Sequence, residues 1–147
     1  MTSPVESAIV ALQAALEADP GVSALISSFG RRMEHWSVVG SQPALFIRHM
    51  SNEYKYEHDT LPRITVNCEI WVYERSGADP DAISDTQLNA IEDAISTLLS
   101  TNDEGGRYTL GGTVYWCRLE GKAEFKPGDM DQQGLMLLPV SILLLPS

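Results

Sequence analysis

The chain has 147 residues, 44% hydrophobic and 20% charged, the size and balance of one globular domain that buries roughly two thirds of its unfolded surface rather than a disordered tract. Its 20 acidic residues against 10 basic ones give a formal charge of −10 and exclude ordinary nucleic-acid binding, which needs a basic surface to displace counterions. No stretch reaches the roughly 20 apolar residues of a membrane helix, and MTSPVESAIV lacks the basic region of a secretory signal, so an intracellular protein without membrane contact is expected.

Ser3, Pro4 and Glu6 predict a helix start: a hydroxyl cap, a proline where its missing N–H costs nothing, and a carboxylate three residues after the cap. Val5, Ile9, Leu12 and Leu16 then recur at helical spacing, and Asp19-Pro20-Gly21 stops the helix near Ala18. Asp19 and Pro20 can also cap a short helical turn within Val22 to Phe29. Arg31 to Trp36 is a weak strand candidate. Ala44 to Met50 is a better one, with Pro43 at its beginning because proline cannot donate within a ladder. Ser51 to Leu61 is polar and reads as a long exposed connection, either a binding loop or a solvated hairpin tip.

Arg63 to Glu74 holds the longest two-residue alternation in the chain. Ile64, Val66, Cys68, Ile70 and Val72 fall on one side, and Thr65, Asn67, Glu69, Trp71 and Tyr73 on the other, which predicts a long central strand. Trp71 and Tyr73 mark an outward face, covered either within the subunit or by a neighbour. Ser76 to Asp81 is a turn. Ser84 with Gln87 forms a capping box ahead of a second amphipathic helix carrying Leu88, Ile91, Ile95, Leu98 and Leu99. Asn102 and Gly105-Gly106 end it, and Gly111-Gly112 turns into one long strand in which Tyr115, Cys117, Leu119, Ala123 and Phe125 alternate with Trp116, Arg118, Glu120, Lys122 and Glu124. Lys126 to Gln133 is a polar loop. The closing stretch, Leu135 to Leu145, is apolar on both faces, and Pro139 places it at a sheet edge or a bulge; as an edge it would need a partner to cover it.

No catalytic constellation stands out. His35, His49 and His58 lack HxH or HExxH spacing, and the chain holds no GxSxG elbow, no GxxxxGK[ST] loop and no GxGxxG. Cys68 and Cys117 read as small core hydrophobes, and Glu92-Asp93 and Asp103-Glu104 as a solvated helix face and its frayed end. No enzyme activity, metal or cofactor is expected.

Several segments together resemble the tail terminator, or tail-completion, proteins of long-tailed bacteriophages. They are SQPALFIRHM (41–50), RITVNCEIWVYE (63–74), LNAIEDAI (88–95), TLGGTVYWCRLEG (109–121) and GLMLLPVSILLLP (134–146), with helix, strands, helix and closing strands in the same order over nearly the whole chain. The resemblance implies one α+β domain over residues 1–147, a largely antiparallel sheet with two amphipathic helices. It implies a hexameric ring of identical subunits in the virion, at the tail or neck, assembled in the host cytoplasm. Such a ring caps the finished tail tube, stops its polymerisation and offers a docking surface to head-completion or neck proteins. Genomic DNA would pass its lumen without specific binding, which a negative channel would favour. Partner and ring contacts are then expected at Tyr54, Tyr56, Glu57, Asp59, Asp79, Asp81, Lys126, Asp129, Asp131 and Leu143. The alternatives are another phage neck or tube subunit, or, in a different class, a small cytosolic regulatory domain dimeric through the apolar closing strand.

Overall fold

The computed structural model describes residues 3–32, 39–40, 42–57, 61–75, 84–126 and 133–146. Helix α1 spans Pro4–Ala18. Ser3 caps it by accepting the Glu6 N–H at 3.0 Å, and Ile9, Leu12 and Leu16 are fully buried along one stripe. The one-turn helix α2, Pro20–Ser23, follows at once, with the Asp19 carboxylate accepting the Val22 N–H, so the double punctuation at Asp19-Pro20 both ends one helix and starts the next. The third helix, α3, spans Ser84–Leu99 and buries Leu88, Ile91, Ile95 and Leu99; it begins at Ser84 itself, so that residue stands in the first turn rather than ahead of it.

Among the described residues six strands form one sheet: β1 Ser28–Gly30, β2 Ala44–Lys55, β3 Arg63–Arg75, β4 Trp116–Leu119, β5 Glu124–Lys126 and β6 Gln133–Leu144. Their order is β1-β2-β3-β6-β4, with β5 also on β6; β1 runs parallel to β2 and every other pairing is antiparallel. The helices pack on one face of this sheet. Their buried stripes meet Leu45 and Ile47 of β2, Val66, Cys68, Ile70 and Val72 of β3, Cys117 of β4, and Met136, Leu138, Val140 and Ile142 of β6 in one cluster. The fold is therefore α+β with a largely antiparallel sheet, and the alternation along β3 places the inward residues as read, at the sheet's centre.

Four expectations change. The early strand is Ser28–Gly30; Arg31 and Arg32 form a bend, and the rest of the weak candidate, residues 33–38, lies outside the described residues. Strand β2 continues past Met50 to Lys55, so Ser51 to Lys55 is not loop but one arm of a hairpin paired with Arg63 to Asn67, with a bulge at Met50. Ser51, Glu53, Tyr54 and Lys55 of this arm are exposed, while Val66 on the facing arm stays in the core.

The single long strand after Gly112 is two, β4 and β5. From Leu119 to Glu124 the chain takes five steps while β6 takes three from Val140 to Leu137. Pro139 is the cause. Its carbonyl accepts the Glu120 N–H at 3.2 Å, so its hydrogen-less nitrogen faces the same side and cannot hold a ladder there. Gly121, at φ +124°, loops out over the proline ring. Finally, β6 is not an edge: β3 flanks it on one side and β4 and β5 on the other. A dimer built on an exposed closing strand loses its basis, because that strand's backbone is already paired on both sides.

Candidate assembly surfaces

The described helices leave the second face of the sheet to two regions of different character. At one end Val39, Ala44, Phe46 and Tyr73 form a small buried cluster against which Trp71 and Leu135 pack; the Phe46 and Tyr73 rings lie 5.4 Å apart. Tyr73 is thus covered within the subunit. Trp71 is half-buried, its indole N–H donating to Glu69 at 3.1 Å and the Arg48 guanidinium 5.7 Å from its ring. The outward aromatic face predicted along β3 is consequently closed by its own chain at this end.

At the other end the described residues leave the face open. A shallow hollow of about 520 Å³ is lined by Glu53, Lys55, Arg63, Thr65, Trp116 and Leu143, and a neighbouring one of about 410 Å³ by Asn67, Arg118, Glu120 and Ser141 with shared residues. The Arg118 guanidinium stacks 3.8 Å from the Trp116 ring and donates to Glu120 at 3.1 Å, so charge and ring contact meet along one wall. Leu143 and Ser141 are buried in its floor. Leu143 therefore serves as floor rather than as a protruding contact.

The β2–β3 hairpin carries the two most exposed of the described aromatic residues. Tyr54 is 58% and Tyr56 62% exposed, and Leu61 is exposed nearby. Glu57 is held back on the hairpin by Arg63, Nη2 to Oε1 2.6 Å. Of the other expected contacts, Asp59, Asp79, Asp81, Asp129 and Asp131 lie outside the described residues, and Lys126 is placed only as the last residue of β5.

Two constellations were not foreseen. Asp103 is no frayed helix end: its carboxylate accepts the Thr109 N–H at 2.8 Å, the Thr109 hydroxyl at 3.0 Å and the Gly111 N–H at 3.2 Å, ordering the crossing from α3 to β4. Burial pushes its pKa up, but these donors outweigh that and the carboxyl sits below its ordinary value. Glu6, at the start of α1, is gripped by Arg31 through both carboxylate oxygens, one of them at 3.1 Å, and this hydrogen-bonded pair lowers its pKa.

Nucleophilic chemistry finds no support in the thiols. His49 stands opposite Cys68 in the β2–β3 register and meets Asn52 at 2.7 Å, an order of residue types a cysteine hydrolase uses. Yet Cys68 is buried, and burial pushes its thiol up to about 11, the opposite of an activated nucleophile. Cys117 is pushed up further for the same reason. Among the described residues no group of three His, Cys, Asp or Glu side chains is arranged to hold a metal.

No family model matches this chain, and no curated protein matches it. Among solved structures, a chain in the virion of a native gene transfer agent particle superposes with a TM-score of 0.57 at 14% identity, over 91% of this chain and 91% of that one. At that identity the likeness concerns the fold, and it extends over nearly the full length of both chains.

Proposed function

We propose that this chain is a structural protein of a phage-type virion, and within that class a tail terminator: a subunit of a hexameric ring that caps the finished tail tube and receives the head-completion or neck protein. The observation that carries the reading is the end-to-end likeness of its fold to a chain of a gene transfer agent virion. The features of the molecule itself are consistent with a role in assembly rather than catalysis. Exposed tyrosines on the β2–β3 hairpin and a Trp116–Arg118 stack are contact chemistry, and the two buried thiols have raised pKa values. A head-to-tail contact between unlike surfaces closes into a ring when its rotation allows, and closure multiplies contacts that are weak singly. With a net charge of −10, such a ring would let DNA slide past without gripping it.

The closest rival is a tube or neck subunit built on the same small plan. Electron micrographs of particles produced without this protein separate them. Overlong tubes identify a terminator; tubes of normal length without heads point to a joining protein instead, and the absence of tubes to a tube subunit.

A further inference from the structure

Between the end of α3 and β4 lies a cavity of about 150 Å³ whose wall includes Thr101, Arg107, Trp116 and Arg118. Its lining holds two arginines and no acidic residue, in a chain with twenty acidic residues against ten basic ones. Each guanidinium is partnered on one side only. Arg107 lies 4.2 Å from the centre of the Tyr115 ring and donates its Nε–H to the Tyr115 carbonyl at 2.8 Å. Arg118 lies 3.8 Å from the centre of the Trp116 ring and donates its Nε–H to Glu120 at 3.1 Å. The Glu104 carboxylate stands 3.9 Å from Nη2 of Arg107, beyond hydrogen-bond reach. Among the described residues, then, no Nη group of either side chain has a hydrogen-bond acceptor, and the Thr101 hydroxyl has no partner either.

Two cations at a helix C-terminus also complement its dipole, but neither arginine donates to a carbonyl in the last turn of α3. The helix end amounts to about half an elementary charge and does not cancel two guanidinium groups. Glu104 and Glu120 are 65% and 53% exposed and stand outside the cavity lining, where solvent screens them. Unshared Nη groups are the donors that recognise carboxylate and phosphate oxygens. We propose that this cavity binds an oxyanion, a carboxylate or phosphate group held by the Nη groups of Arg107 and Arg118 with the Thr101 hydroxyl as a further donor. Pockets that enclose whole small molecules begin at about 300 Å³, so this one suits a single charged group. That group comes either from a dissolved anion or from an acidic side chain of a neighbouring copy. The site itself does not depend on the ring-forming reading above.

Sodium phosphate is titrated into the chain at a dilution where it is monomeric, with sodium chloride at equal ionic strength as the control. Tryptophan emission reports binding, because Trp116 stands in the cavity wall. A saturable change is expected with phosphate alone. Arg118→Gln and Arg107→Gln should each weaken it roughly tenfold or more, while Arg63→Gln, on the hairpin, should leave it unchanged. Arg118 is 53% exposed, so its variant should keep the parent's circular dichroism and decides the matter if Arg107→Gln unfolds. Sedimentation at assembling concentrations, with and without saturating phosphate, then identifies the source. A shift to smaller species means that phosphate displaces a neighbour's carboxylate, and an unchanged distribution means that the dissolved anion is the ligand. No saturable response, or one that Arg118→Gln leaves intact, would overturn the site.

Discussion

Tyr54 and Tyr56 are exposed aromatics on the β2–β3 hairpin, so replacing both with alanine leaves no cavity. The expected change in stability is within about 0.5 kcal/mol, while tail joining or assembly weakens; unchanged joining in a complementation assay removes the hairpin tip from the contact surface. Asp103 works in the opposite way, inside the subunit. Its folded pKa is depressed, so its contribution is fully present above the unfolded value of 3.8 and is lost as pH falls through the lower folded value. Melting temperatures of Asp103→Asn should therefore be lower than those of the parent at neutral pH and converge with them as pH falls below the unfolded value of 3.8. Parallel acid limbs would contradict the role given to this carboxylate. With a pKa near 11, Cys68 exposes roughly one thiolate in ten thousand at pH 7, so neither thiol should react with an aromatic disulfide reagent until the chain unfolds. The sequence disclosed the burial of both cysteines, since each sat on the inward side of an alternation. It concealed Asp103, whose donors lie six and eight residues onward and only meet it once the loop closes.

Among the elements, β6 changes meaning most between sequence and structure. Its two apolar faces are unequal: Leu138 is buried under the helices, while Leu137 on the opposite face remains half-exposed. Leu138→Ala should cost about 2–5 kcal/mol in chemical denaturation and Leu137→Ala clearly less, because only the first leaves a cavity in a close-packed layer. The break between β4 and β5 is similarly specific. A Cβ at Gly121 would stand 3.1 Å from the Pro139 ring at a φ of +124° that side chains rarely adopt, so Gly121→Ala should lose about 1–3 kcal/mol. Restoring the ladder donor with Pro139→Val should relieve part of that loss in the double variant; strict additivity would show that the two residues act separately. The break was half legible: Pro139 declared a bulge or an edge, but which one depended on whether another strand lay beside it.

For the whole molecule, among the described residues one sheet carries its helices on a single face, and the other face is closed at the Phe46–Tyr73 end and open at the Trp116 end. Sequence alone determined the two long helices, the central strand and its inward side, and the α+β class. Those follow from periodicity and capping, which act over three or four residues and are written locally. Where β2 ends, that β6 lies inside the sheet and which aromatic residues their own chain covers were decided only by the tertiary structure. Each depends on which distant segment occupies the neighbouring position. Pairing partners such as Ile64 and Leu144 are brought together by the fold, and no local pattern records their meeting.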